Sequence, residues 1–141
     1  MSSSLALATA VTFVWLGMVI AISFLEAPLK FRAPGVSLPI GLGIGRLVFR
    51  ALNIAELLLA VILAVGLLTE MPTARISFNA AVPVAALAVQ IGFVRPLLSQ
   101  RSDRVLAGED VPRSRAHYWY VGLEVVKIIG LLATGVQLLT T

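Results

Sequence analysis

His117-Tyr-Trp-Tyr-Val-Gly-Leu-Glu-Val-Val-Lys-Ile-Ile-Gly-Leu-Leu-Ala-Thr-Gly-Val-Gln-Leu-Leu139 is the stretch on which the fold turns. A membrane-crossing helix needs about 20 residues to cover a hydrocarbon core of about 30 Å, so this stretch crosses only if Glu124 and Lys127 lie inside the membrane. The same choice arises upstream. Leu57 to Leu68 is free of charge but too short, so that span must reach back through Glu56, Asn53 and Arg50 to about Ile44. Two other runs need no such concession. Leu5 to Leu25 holds 21 uncharged residues and Ile76 to Val94 holds 19. The second is interrupted only by Pro83, which a membrane helix tolerates when neighbours satisfy the freed carbonyl. The expectation is an all-α polytopic membrane protein in a single domain, with four helices near 5–25, 44–68, 76–94 and 117–139 in an antiparallel up-down bundle.

Composition points the same way. Hydrophobic residues make up 59% of the chain and charged ones 13%, against about 25% charged in ordinary soluble domains. Mean hydropathy is +0.98, which excludes disorder, collagen and a solvent-exposed coiled coil. The absence of cysteine removes disulfides, thiolate metal sites, iron–sulfur clusters and cysteine nucleophiles. Met1 to Ser4 carries no basic side chain and the apolar run behind it is too long for a secretory signal, so it reads as a retained span.

Basic residues set the expected orientation. Lys30, Arg32, Arg46 and Arg50 flank the first connection, and Arg95, Arg101, Arg104, Arg113 and Arg115 the third. The second, Thr69 to Arg75, has one. Because short cytoplasmic loops accumulate Lys and Arg, the first and third connections should face the cytoplasm and both termini the outside. A basic rim against anionic lipid accounts for the pI near 10.4, and no nucleic-acid motif accompanies it, so nucleic acid is not an expected partner. His117, Tyr118, Trp119 and Tyr120 form an aromatic anchor where the last helix enters the membrane. In the first connection, 26–43, Pro28 should end the first helix and Pro34-Gly35 should make a turn, with Leu29, Phe31, Val36 and Leu38 holding the segment in the interface. A basic loop, 95–116, should follow the third helix. Gly41 and Gly45 would let another helix approach closely. A nucleotide-binding reading lacks both the preceding strand and the P-loop lysine.

The run Phe24-Leu-Glu-Ala-Pro-Leu-Lys-Phe-Arg-Ala-Pro-Gly35, followed by Gly43-Ile-Gly-Arg-Leu-Val-Phe49, resembles bacterial four-helix integral membrane proteins, best across the first two helices. The resemblance implies a four-span fold and a bacterial inner-membrane location. It carries over no activity.

Roles therefore rest on the ionisable residues, each of which costs about 2.5–3.5 kcal/mol at the centre of a spanning helix. Glu56 lies twelve residues before Leu68 and Lys127 twelve before Leu139, so both sit about 18 Å below the outer ends and make a natural ion pair. Glu124 competes for Lys127 from the same helix at i,i+3. Toward the cytoplasm, Arg46, Arg50 and Asn53 share one side of the second helix, and His117, Tyr120 and Glu124 one side of the fourth. Gln90 and Glu26 come from the third and first. The outer half has little that is polar besides Thr9, Thr12 and Asn79, so a polar pocket should open inward and close outward.

Several uses fit this pattern. The charges would neutralise one another and specify helix pairing, with the arginines snorkelling to the interface, as in a structural or accessory subunit. Alternatively, Arg46, Arg50, Asn53, Tyr120, Gln90 and Glu26 would hold the polar end of an amphiphile while Glu124, Glu56 or His117 acts as acid or base. A proton-coupled or small-molecule transporter would use the same charges, with a homodimer supplying the route that four spans lack. With one histidine and no Glu-x-x-His pair, neither a metal nor a haem is expected, and no other cofactor. No Ser-His-Asp context is visible, and the Ser23 hydroxyl should bond its own helix backbone.

Overall fold

The computed structural model describes residues 1–141. Four helices carry the chain: α1 (Ser3–Arg32), α2 (Leu38–Glu70), α3 (Ala74–Leu106) and α4 (Arg115–Leu139), with no strand. All four are long and apolar enough to cross a membrane, consistent with an integral membrane protein. Side-chain caps fix three of the starts: Ser2 accepts from Leu5 N–H at 3.1 Å, Ser37 from Ile40 N–H at 3.4 Å and Thr73 from Ile76 N–H at 3.4 Å. Met71, in the left-handed region at φ 47°, stops α2, and Gly35 at φ 82° makes the Pro34-Gly35 turn, closed by Val36 N–H to the Ala33 carbonyl at 3.2 Å.

The surface is far more apolar than that of a water-soluble bundle, and charged groups lie inside. Leu68, Leu47 and Phe93 are 77%, 73% and 73% exposed. Glu56, Gln90 and Lys127 are 0% exposed and Glu124 1%. Such a surface is stable where the surroundings are hydrocarbon, and the buried charges are tolerable only because they meet one another.

The helices are longer than the hydrophobic runs suggest. α1 continues past Pro28 to Arg32, α2 begins at Leu38 instead of near Ile44, and α3 runs on from Val94 to Leu106. The first connection shrinks to 33–37 and the third to 107–114. The reason lies at two prolines. A proline in a helix lacks an N–H and pushes its ring against the carbonyl four residues back. Before Pro28 and Pro96 the chain widens into π turns, Ile20–Glu26 and Gln90–Val94, with Ala27 N–H bonded to the Ile22 carbonyl and Arg95 N–H to that of Gln90. This five-residue step relieves the clash without ending the helix. At α2 the proline is no obstacle, because Pro39 stands in the first turn, where its N–H would have had no partner.

Small residues set the helix contacts. A Cβ on Gly66 of α2 would lie 3.4 Å from Ala8 of α1, one on Gly135 of α4 would meet the Phe13 ring of α1 at 2.6 Å, and one on Gly130 of α4 would meet Pro83 of α3 at 2.8 Å. The order around the bundle is therefore α2, α1, α4, α3. Trp15, Leu63, Leu87, Leu131 and Leu138 fill the core toward the chain termini. At the opposite, basic end a smaller cluster of Val94, Ala116 and Tyr120 leaves space. There the tail of α3 closes onto α2 through Arg46–Asp103 at 2.7 Å and Arg95–Asn53 at 3.0 Å. The helix that comes close to Gly41 and Gly45 is the end of α1, through the Phe31 ring and the Lys30 ammonium.

Candidate functional site

Lys127 is the centre of a buried polar cluster. Its ammonium lies 2.5 Å from Glu56 Oε2 and 2.5 Å from Glu124 Oε1, so the two pairings that compete in the sequence exist together. Each carboxylate has further donors. Trp15 Nε1 donates to Glu56 Oε2 at 2.8 Å and Asn53 Nδ2 to Glu56 Oε1 at 3.1 Å. Gln90 Nε2 donates to Glu124 Oε1 at 2.8 Å and the Ser23 hydroxyl to Glu124 Oε2. Arg95 Nη1 donates to Asn53 Oδ1 at 3.0 Å, which fixes the amide so that its NH2 faces Glu56. Two carboxylates, one ammonium and one guanidinium thus form a neutral set held by hydrogen bonds, the condition under which buried charge is stable.

The two side chains that hold Glu124 from α1 and α3, Ser23 and Gln90, both sit in the π turns. The expectation that Ser23 bonds its own backbone is corrected here: the widened turn carries its hydroxyl onto Glu124.

Below this cluster, at the basic end, lies a cavity of about 460 Å³ between the tails of α1 and α3 and the starts of α2 and α4. Glu124 forms part of its wall, with His117 and Tyr120 from the same face of α4. Five cationic side chains, Lys30, Arg46, Arg95, Arg101 and Arg113, line it against the single carboxylate of Glu124. Phe24, Phe31, Leu42, Phe49 and Leu98 supply apolar wall. The buried Tyr120 hydroxyl and Ser114 Oγ, both of cavity-lining residues, have no hydrogen-bond partner. A volume within the 300–1,000 Å³ usual for small-molecule sites, largely apolar and with a few convergent polar groups, is the form of a ligand pocket.

The residues singled out in the sequence divide into three groups. Arg46, His117, Tyr120 and Glu124 line the cavity. Asn53, Glu56 and Gln90 are buried in the charged cluster behind it, and Lys127 joins them. Arg50 and Glu26 stand apart: Arg50 is exposed outside the cavity, and Glu26 faces Lys30 at 3.8 Å. Sequence reasoning missed Trp15, Ser23 and Arg95. A signal existed for the first, since a tryptophan buried among apolar helices needs an acceptor for its N–H. Arg95 reads as part of the cytoplasmic rim because the apolar run stops at Val94.

Comparison with family models, with curated proteins and with solved structures gave no match. The geometry alone carries the functional reading.

Proposed function

We propose that the chain is a small integral membrane protein, its four helices crossing the bilayer up and down with the basic end in the cytoplasm and both termini outside. Its pocket, open at the cytoplasmic side, binds or processes an amphiphilic small molecule. The observation that carries this reading is the cavity itself, which joins apolar walls to a ring of cations directly against a buried, fixed carboxylate. An amphiphile satisfies both halves of such a surface at once. Glu124 is the residue available to proton chemistry there, since it is the one carboxylate of the charged cluster that also belongs to the cavity wall.

The test is native mass spectrometry with lipid analysis of the purified protein and of Ser99→Trp, which places a large ring on the cavity wall without changing charge. A defined amphiphile retained by the wild type and absent from Ser99→Trp supports the reading. Annular lipid alone, identical in both, refutes it. A second reading, a transporter working as an oligomer, is favoured by the Glu56–Lys127–Glu124 cluster lying behind the pocket, where intramembrane charges often mark an ion path. It requires flux into sealed proteoliposomes that Glu124→Gln abolishes while the protein stays folded.

A further inference from the structure

The charge of the ligand follows from which cavity groups are already engaged. The charge of Glu124 is already matched by Lys127, and Gln90 and Ser23 donate to it as well, so it is a poor counter-ion for a cationic ligand. The cations are less fully matched. Lys30 has Glu26 at 3.8 Å and Arg46 has Asp103 at 2.7 Å. Arg101 donates to the Val111 carbonyl at 3.1 and 3.3 Å, a neutral partner. Arg113 is exposed and has no ion-pair partner, and Arg95, whose charge already balances the buried cluster, donates directly only to the neutral Asn53 amide.

The start of α4 adds to this imbalance. Ser114 stands at the cap position of a 25-residue helix, yet its side chain makes no capping bond. Its Oγ is buried without a partner, and so is the hydroxyl of Tyr120, which is 7% exposed and lines the same cavity. The positive end of a long helix, unsatisfied hydroxyls and the Arg101 and Arg113 guanidiniums, which have no carboxylate partner, meet around one space, and all of them suit an oxyanion. An apolar exit adjoins it. Phe24, Phe31, Leu38 and Val121 line the cavity and are themselves 40%, 39%, 45% and 37% exposed on the apolar outer surface.

We infer that the pocket selects an anionic amphiphile, whose oxyanion head, phosphate or carboxylate, sits among Arg95, Arg101, Arg113 and the start of α4 while its hydrocarbon tail leaves past Phe24 and Phe31. This rests on the amphiphile reading and narrows it to one charge class. Guanidinium recognises such heads through paired N–H donors, whereas a quaternary ammonium head would face the cations with no free carboxylate to meet it.

The experiment measures binding of dodecyl phosphate, dodecyltrimethylammonium and inorganic phosphate to the purified protein in a neutral detergent. Wild type is compared with Arg113→Gln and Arg50→Gln. The two variants remove the same charge, and Arg50 lies outside the cavity. Dodecyl phosphate should bind one per chain, at least about tenfold tighter than dodecyltrimethylammonium, with a loss of about tenfold in Arg113→Gln and none in Arg50→Gln. Thermal unfolding of each variant without ligand separates loss of binding from loss of fold. Equal binding of both surfactants, unaffected by Arg113→Gln, overturns the oxyanion selection and leaves the amphiphile pocket standing. Inorganic phosphate binding as tightly as dodecyl phosphate keeps the oxyanion site and overturns the amphiphile. No binding of any probe overturns both.

Discussion

Replacing Lys127 by Met tests whether the buried cluster holds the bundle together. Lys127 is 0% exposed and lies 2.5 Å from each of two carboxylates that are themselves 0% and 1% exposed. Its removal leaves two like charges in a low-dielectric interior with one shared counter-ion gone. Breaking a buried pair from one side costs about 3–5 kcal/mol, and the presence of two orphaned partners places Lys127→Met at the upper end. Neutralising one partner as well should restore part of the loss. In Lys127→Met/Glu56→Gln a single carboxylate remains, Glu124, which still accepts from Gln90 and Ser23. Glu56→Gln alone also loses stability, since its new NH2 opposes either Lys127 and Trp15 or the Asn53 NH2 that Arg95 holds in place. The double variant should therefore be less damaged than the sum of the singles by about 1–3 kcal/mol. Denaturant unfolding in detergent, read by the fluorescence of Trp15 in a Trp119→Phe background, measures all four corners. Trp15 reports directly, as its indole donates to Glu56 at 2.8 Å. Strictly additive losses, or a Lys127→Met protein as stable as wild type, would refute the argument.

Packing and surface charge give further expectations. Gly130→Val should destabilise by about 1–3 kcal/mol, because a Cβ there meets Pro83 at 2.8 Å, while Gly122→Ala, with nothing within 4 Å, should be neutral or slightly stabilising in the same unfolding measurement. Asp103→Asn should change stability by less than about 1 kcal/mol, since the Arg46–Asp103 pair has side chains 40% and 63% exposed and is screened by salt. Single cysteines introduced into this cysteine-free chain should label from outside the cell at position 72 and only after permeabilisation at positions 30 and 101; labelling of position 30 in intact cells reverses the orientation.

The four helices are legible because length and hydropathy are additive along the chain. Depth is legible for the same reason: counting from Leu68 and from Leu139 brings Glu56 and Lys127 to one level, and the structure joins them at 2.5 Å. Direction around a helix is harder, because an error in phase grows with every residue. On α2, at about 100° per residue, Arg46 lies about 80° and Arg50 about 120° away from the side that carries Glu56, whereas Phe49 lies about 20° from it. Grouping the two arginines with Asn53 by their four- and three-residue spacings conceals that drift. It is Phe49 that faces the cavity there, and Arg50 that faces away.

The π turns defeat phase counting more thoroughly. Each adds a residue to the turn, so every side chain beyond it is rotated by about 100° relative to a regular α-helix. Ser23 and Gln90 lie within those turns, and the helical tails that follow, carrying Lys30 on one side and Arg95 and Arg101 on the other, supply much of the cavity wall. The underlying signal was present in Pro28, which reads most simply as the end of the first helix, and in Pro96, two residues past the apolar run that stops at Val94. A proline ends a helix when the ring and the missing N–H have no remedy, and in water the freed carbonyls find solvent. In the hydrocarbon of the proposed membrane setting they would not, so widening the turn would cost less than exposing them, and the helix continues. The same two prolines therefore lengthen the helices into the basic end and turn one side chain from each toward Glu124. Pocket and charged cluster are joined through that residue.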